Sequence, residues 1–357
     1  MSKTIKRVFH PSFYLKEFLD ELEMSQDEFA KRLGISGKQI SLILSQQASI
    51  TADIAYRLSQ MLGTSSEIWL NLQSKYDAYL VQLNALEKFE EEKQIFKMID
   101  KKFLLQLNII ENDDDIETAI GKLRNISLVS SLSLLAKKDI FSFYRTSIIK
   151  EETTQNIVCK NLWVSLATSL AKKEETSPFD ENKIIDNIDK FRNMTLESPE
   201  FFYPKLKEIL NECGVSLIIL PSLKNSNING VVKWLDSNKV MMALNTRGAY
   251  NDKFWFSFFH ELKHVLQKIK RKMIIGETED NVSEEKLEIE ADEFAKNTLI
   301  SSEKLKELTN YTEYSIRQFA KKINIHPGIV VGRLQKDGLI KYSYLNDLKE
   351  KYEIVVE

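Results

Sequence analysis

Residues 254–267 read FWFSFFHELKHVLQ, and no other stretch limits the fold so tightly. Phe254, Trp255, Phe256, Phe258, Phe259, Leu262, Val265 and Leu266 offer apolar surface on more than one side, which predicts a buried helix. Such a helix carries His260, Glu261 and His264 at a cost unless those groups find partners inside. The fold must therefore bring complementary polar groups to this helix. The chain has four histidines, and two of them stand here, four residues apart.

On a helix that spacing puts both imidazoles on one face, one turn and about 6 Å apart. Two imidazoles so placed can share one Zn²⁺. Glu261, beside the first, is placed to act as the general base of metal-assisted peptide hydrolysis. The plainer reading, a histidine pair hydrogen-bonded to carboxylates, asks for no metal. His10 and His326 are remote in sequence, so a third ligand is sought among the acidic residues downstream. LEIEADEFAKNTLI, 287–300, reads as a helix with an apolar stripe of Leu287, Ala291, Phe294, Ala295 and Leu299. Glu288 falls beside that stripe and Asp292 follows one turn later. Glu288 is the expected ligand, Glu290 the alternative, and Asp292 is placed to accept a histidine N–H and fix its tautomer. His326, Arg317 and Arg333 are candidates for polarising a carbonyl. For His326 a capping place just before Pro327 is the simpler role.

Elsewhere the pattern is helical with short breaks. SQDEFAKRLGISGKQISLILS, 25–45, has the anatomy of a helix-turn-helix. Ser25 and Glu28 form a capping-box pattern, Gly34 permits the turn, and Ser36 caps a second helix. Ser36, Gly37, Lys38, Gln39 and Ser41 then stand at the exposed start of a recognition helix, where Gln39 can read a base edge and Lys38 a base or phosphate. Thr51 is expected to cap the next helix, and Thr64 with Glu67 the one after. Asp113, Asp114 and Asp115 read as a helix start, and 172–183 as a linker or exposed loop. Three β-rich runs, 215–221, INGVVKWLD and KVMMALN, predict a small sheet. KVMMALN is expected to lie at its edge and take an extended substrate by strand addition. There is no sustained internal repeat.

Two resemblances add to this. HELKH followed by Glu288-Ile-Glu-Ala291-Asp292-Glu-Phe294-Ala295 resembles the ImmA/IrrE family of zinc metallopeptidases over roughly 200–340, with FAKKINIHPGIVVGRLQ, 319–335, resembling that family's C-terminal helices. It implies His260, His264 and Glu288 as zinc ligands, Glu261 as the base, and DNA-binding repressors as targets. Lys263 stands where that family usually has glycine and is expected to face outward. Residues 10–80 resemble the HigA family of antidotes, which implies dimerisation and operator binding. That family tends to carry Gly, Lys and Arg after the recognition helix; this chain has Ser45-Gln46-Gln47-Ala48-Ser49. Residues 1–80 hold nine basic and nine acidic residues, so phosphate contacts are few unless a dimer doubles them.

The expected fold is mainly α with a small β-sheet (α+β): an all-α helix-turn-helix domain over 1–80, a helical spacer over 81–190, and a zincin-like metallopeptidase domain over 191–357. The expected function is a transcription regulator fused to a zinc-dependent endopeptidase that cleaves a protein such as a repressor or toxin partner. The alternative is a non-catalytic DNA-binding antitoxin or autorepressor. A homodimer on an operator is expected. Cys159 and Cys213 give no disulfide framework, and neither a signal sequence nor a membrane span is read, so the expected location is the cytoplasm.

Overall fold

The computed structural model of this protein describes residues 7–138, 144–145, 153–245, 250–268 and 284–352. The chain divides into two compact units, Met1–Glu91 and Glu92–Glu357.

The first unit is all helix: α1 (Ser12–Glu21), α2 (Gln26–Leu33), α3 (Gly37–Leu44), α4 (Ala52–Leu62) and most of α5 (Ser66–Lys97). Leu15, Phe29, Leu33, Ile40, Ile43, Leu58 and Trp69 form its core. Gly34 takes a left-handed conformation (φ 76°) that ends α2, and Ser36 Oγ accepts from Gln39 N at 3.1 Å to start α3. Thr51 caps α4 by accepting from Ile54 N. The Ser25 box is half made. Ser25 accepts from Glu28 N, but the Glu28 carboxylate turns to Arg32 instead of returning to the cap. The expected Thr64 cap is corrected to Ser65, whose Oγ accepts from Ile68 N. Thr64 Oγ1 is taken by the Trp69 indole N–H at 2.8 Å.

The second unit continues with α6 (Lys101–Gln106), α7 (Ile116–Ser127), the two-residue strand β1 (Tyr144–Arg145), α8 (Thr154–Lys173), α9 (Glu181–Asn193) and α10 (Pro199–Glu212). Then come β2 (Val215–Leu220), β3 (Gly230–Trp234) and β4 (Val240–Asn245), followed by α11 (Asn251–Gln267), α12 (Glu284–Leu299), α13 (Ser302–Leu305), α14 (Glu313–Ile323) and α15 (Pro327–Lys336). Asp115 caps α7 and Asp114 binds Lys122, so the acidic run is a helix start. The loop between α8 and α9 is pinned at Phe179 N to Asn238 O, 2.8 Å.

The strand order is β1-β3-β4-β2, with β3 antiparallel to β1 and β4, and β2 parallel to β4. Residues 240–245 therefore do not form an edge. Both sides of β4 are hydrogen-bonded, by β3 and β2, which corrects the expectation that KVMMALN takes a substrate strand. Along β2, Val215, Leu217 and Ile219 join the core with α10 and α11. The alternate residues turn to the opposite face, where α8 packs and the Trp163 indole donates to Pro221 O. With both faces covered, the whole of β2 is buried. Phe254, Trp255, Phe258, Phe259, Leu262 and Val265 of α11 enter the same core, each worth about 1.5–3 kcal/mol when fully buried. That burial fixes the rotation of α11, and with it the direction in which His260, Glu261 and His264 point.

The α14–α15 turn uses the same local grammar as α2–α3. FAKKINIH at 319–326 matches FAKRLGIS at 29–36: Asn324 is left-handed (φ 55°) like Gly34, and His326 caps α15 as Ser36 caps α3. The outcome differs. Ile329, Val330, Val331 and Leu334 bury α15 in the core, whereas α3 leaves Lys38, Gln39 and Ser41 exposed.

Candidate metal centre and candidate nucleic-acid interface

His260 and His264 share one face of α11, and Glu288 comes to them from α12. One ligand atom from each of the three lies within 4.8 Å of the others. The two Nε2 atoms are 3.1 Å apart, and the Glu288 carboxylate oxygens lie 3.3 Å from His260 Nε2 and 3.2 Å from His264 Nε2. Four ligands at 2.0–2.1 Å around a tetrahedral zinc stand about 3.3 Å apart.

The outer ring nitrogens fix the tautomers. His260 Nδ1 is 2.9 Å from Asp292 Oδ1, and His264 Nδ1 is 2.8 Å from Gln267 Oε1. The Gln267 amide cannot be flipped, because its Nε2 donates to Leu287 O at 3.0 Å. His264 Nδ1 must then carry the proton, and Asp292 asks the same of His260. When both rings are neutral, their Nε2 lone pairs consequently face each other and a carboxylate, and only a cation between them, a proton or a metal ion, satisfies all three. Such a set of three converging bases fits a divalent cation.

Electrostatics agree. Burial works against a positive His260, but Asp292, Glu288 and Glu261 outweigh it and raise the group to about 10. Burial also opposes ionisation of Glu288, yet hydrogen bonds with His260 and His264 hold its carboxyl far below the usual range. The hydrogen bond with His260 lowers Asp292, helped by the charges of Lys296 and Lys336. The group is built to hold positive charge.

Glu261 is buried beside it, and burial pushes its carboxyl up to about 7 against the pull of His264 and His260. Its Oε2 has no hydrogen-bond partner among the described residues. The main chain at Gly230 closes over the carboxylate, and a β-carbon there would lie 2.4 Å from Oε1.

Of the residues singled out in the sequence, His260, Glu261, His264, Glu288 and Asp292 come together. Glu290 does not; its carboxylate lies 3.5 Å from Gln267 Nε2. Lys263 turns its ammonium over the Phe294 ring, 5.8 Å from the centroid. His326 caps α15 through Gly328 N, and Arg317 pairs with Glu313. Arg333 donates to the carbonyls of Lys296 and Ile300 and to Asp337 in the wall of a neighbouring cavity. Sequence reasoning missed Gln267 and Gly230. Gln267 stands three residues after His264 on the same helix, a spacing that points at it; nothing local points at Gly230.

In the first unit, Ser36, Gly37, Lys38, Gln39 and Ser41 all lie exposed at the N-terminal end of α3. Ile40, Ile43 and Leu44 anchor that helix from the opposite side. Ser45, Gln46 and Gln47 extend the exposed surface without adding charge. No helix among the described residues is long and apolar enough to cross a membrane.

Comparison with known proteins finds two family matches, a helix-turn-helix over residues 15–69 and an IrrE N-terminal-like domain over 214–335. The chain is 38% identical over 66 residues to the HTH-type transcriptional regulator YddM of Escherichia coli, covering 18% of this chain and 70% of that one. It is 28% identical over 98 residues to the antitoxin HigA-1 of Vibrio cholerae, covering 27% and 89% of the two chains. A solved structure of a HigA-family addiction module antidote from Coxiella burnetii is 40% identical, with 24% of this chain and 95% of that chain covered and a TM-score of 0.23.

Proposed function

From the premise that this chain belongs, over its N-terminal helices, with the HigA-like helix-turn-helix regulators and carries an IrrE N-terminal-like domain, we propose that it is a cytoplasmic transcription regulator fused to a zinc-dependent endopeptidase. The observation that carries this reading is the convergence of His260, His264 and Glu288 with an unpartnered Glu261 Oε2 beside them.

His260, His264 and Glu288 would hold the zinc. Asp292 and Gln267 keep both Nε2 atoms free for it. A zinc ion there would supply Lewis acidity toward water and a peptide carbonyl. Glu261 Oε2 takes the proton of the attacking water and returns it to the leaving amine. Its own place is bounded by the Gly230 main chain, where a β-carbon would collide with the carboxylate. The substrate is a protein, such as a repressor or a toxin partner.

Ser36, Gly37, Lys38, Gln39 and Ser41 meet operator DNA, in a homodimer that doubles the few phosphate contacts each copy offers. The functional division is 1–80 for DNA, 81–190 as the intervening helices and 191–357 for catalysis. From residue 92 onward those helices belong to the same compact unit as the catalytic elements.

A second reading, a non-catalytic antitoxin or autorepressor with a structural metal site, is favoured by one observation. His260, Glu261 and His264 are only 7%, 3% and 5% exposed, and closed sites are typical of structural zinc. Two measurements separate the readings. The first is metal content beside a His260→Ala/His264→Ala variant: one zinc per chain, lost in the variant, is expected, and a folded protein that takes no metal overturns the centre. The second compares new protein N-termini in cells carrying the wild type or Glu261→Gln. Fragments confined to the wild type, with zinc retained in both, are expected; full cleavage by Glu261→Gln overturns the assigned base.

A further inference from the structure

A cavity of about 780 Å³ is lined in part by α11 and α12, the two helices that carry the metal group. Its relation to the group follows from helix geometry. On α11, Lys253, Ser257, Glu261 and His264 fall along one stripe, and Phe256, in the cavity wall, has its ring 6.3 Å from the ring of His260. On α12, Glu288, Asp292 and Lys296 follow at four-residue steps, and Lys296 also lines the cavity. The two helices pack side by side and lead from the metal group into the cavity. From below, Asn229 in the wall directly precedes Gly230, which abuts Glu261.

Among the described residues, the charged ones of the wall are one carboxylate, Asp252, and five cations. Three cations are committed. Lys349 binds Asp252 at 2.6 Å and Gln335 at 2.7 Å, Arg333 binds Asp337 and two carbonyls, and Lys296 meets Glu293 at 3.0 Å. Lys253 and Lys336 are exposed and form no salt bridge among the described residues, although the charge of Lys336 also reaches Asp292. The same wall has an apolar floor, from Leu244, Phe254, Leu299 and Ile329. An aliphatic stem over that floor with its carboxylate raised toward the two lysines satisfies both halves of the wall.

We propose that this cavity is the substrate subsite for an acidic side chain, read by Lys253 and Lys336. The proposal rests on the endopeptidase reading above and names its substrate class: protein segments with Glu or Asp near the cleaved bond. Lys253 precedes His260 by seven residues, about 10 Å along the helix. An extended peptide advances about 3.4 Å per residue, so the acidic residue stands about three positions from the bond that is cut. A free small anion is a poorer match, because it would leave the apolar floor uncovered.

The test uses the full chain and a Lys253→Gln/Lys336→Gln variant. A proteome-derived peptide library is digested with zinc-loaded protein and the cut sites are sequenced. Acidic residues are expected to be enriched roughly tenfold at one position within about three residues of the cut, with the enrichment collapsing toward one in the variant. Cleavage with no acidic preference, or a preference unchanged in the variant, overturns the subsite while leaving the peptidase reading intact. If nothing is cut, the peptidase reading fails and binding decides the subsite separately. Fluorescein-labelled hexaglutamate should bind the wild type roughly tenfold more tightly than hexaglutamine, with the difference lost in the variant. Equal or absent binding of the two peptides overturns it.

Discussion

Gly230 and Glu261 are packed so closely that the strand can carry no side chain at this point: a β-carbon on Gly230 would lie 2.4 Å from Glu261 Oε1 and 2.5 Å from its Cγ. The main chain of β3 thus acts as a stop that holds the carboxylate toward the metal group. Gly230→Ala should displace Glu261 rather than His260, His264 and Glu288. We expect proteolysis to fall by at least tenfold, since small misplacements of a catalytic group are costly. Zinc should remain at one per chain, and stability should drop by about 1–3 kcal/mol from overpacking. Metal analysis with a cleavage assay checks this; wild-type turnover in the alanine variant would remove Gly230 from the positioning of Glu261.

Asp292 and Gln267 make the same kind of contact, each accepting from a histidine Nδ1. Removing either leaves its ring free to turn. Asp292→Ala and Gln267→Ala should each weaken zinc binding about 10–100-fold. A chelator-competition titration measures it directly. Unchanged affinity in both would show that the rings are held by packing alone.

Arg192 spans the ends of two helices. Its guanidinium donates to the carbonyls of Thr298 and Leu299 at the C-terminal end of α12 and of Ile323 and Asn324 at the C-terminal end of α14. Arg192→Ala strands those carbonyls and is expected to cost about 2–4 kcal/mol. Lysine, lacking the planar fork, should restore only part of it. Urea unfolding of the three proteins gives the comparison, and a loss below about 0.5 kcal/mol for alanine would contradict the role.

Glu92 carries a pH dependence. Burial opposes its ionisation, but the Arg124 guanidinium, Leu132 N–H and Ser131 outweigh burial and lower its pKa. A carboxyl lower in the folded than in the unfolded state adds stability that is complete above the unfolded value, 4.5, and disappears as pH falls through the folded value. Wild-type stability should therefore drop more steeply below pH 4.5 than that of Glu92→Gln, which should be the weaker protein at pH 6. Parallel curves of urea midpoint against pH would refute the assignment.

On the DNA side, sequences selected from a random duplex pool by the full chain supply a probe. Lys38→Ala should weaken binding across all selected sequences and reduce the salt slope by about 1. Gln39→Ala should instead relax preference at one base position. Equal loss of affinity and preference in both would mean that α3 is not seated in the groove as proposed.

Much of this architecture is legible in the sequence because it is written in local periods. The two histidines share a face because four residues make about one helical turn, and Glu288 outranks Glu290 because it falls beside the apolar stripe. Gly34 and Ser36 mark the turn and cap of α3 for equally local reasons. Where two groups compete for one donor or acceptor, local reading falters: Thr64 looks like a cap until the Trp69 indole claims it.

Tertiary structure alone decided the rest, because it depends on pairings between distant segments. β4 has the composition of an edge or a centre; the strands that bind both its sides make it a centre. FAKRLGIS and FAKKINIH specify the same turn, yet only the first leads into an exposed helix, since burial belongs to the surroundings and not to the turn. Gln267 becomes a tautomer-fixing group only when Leu287, 20 residues on, fixes its amide. Gly230 acquires its purpose only when α11 is packed against the sheet. The sequence states which groups can do chemistry; the packing of α11 between the sheet and α12 determines which of them meet.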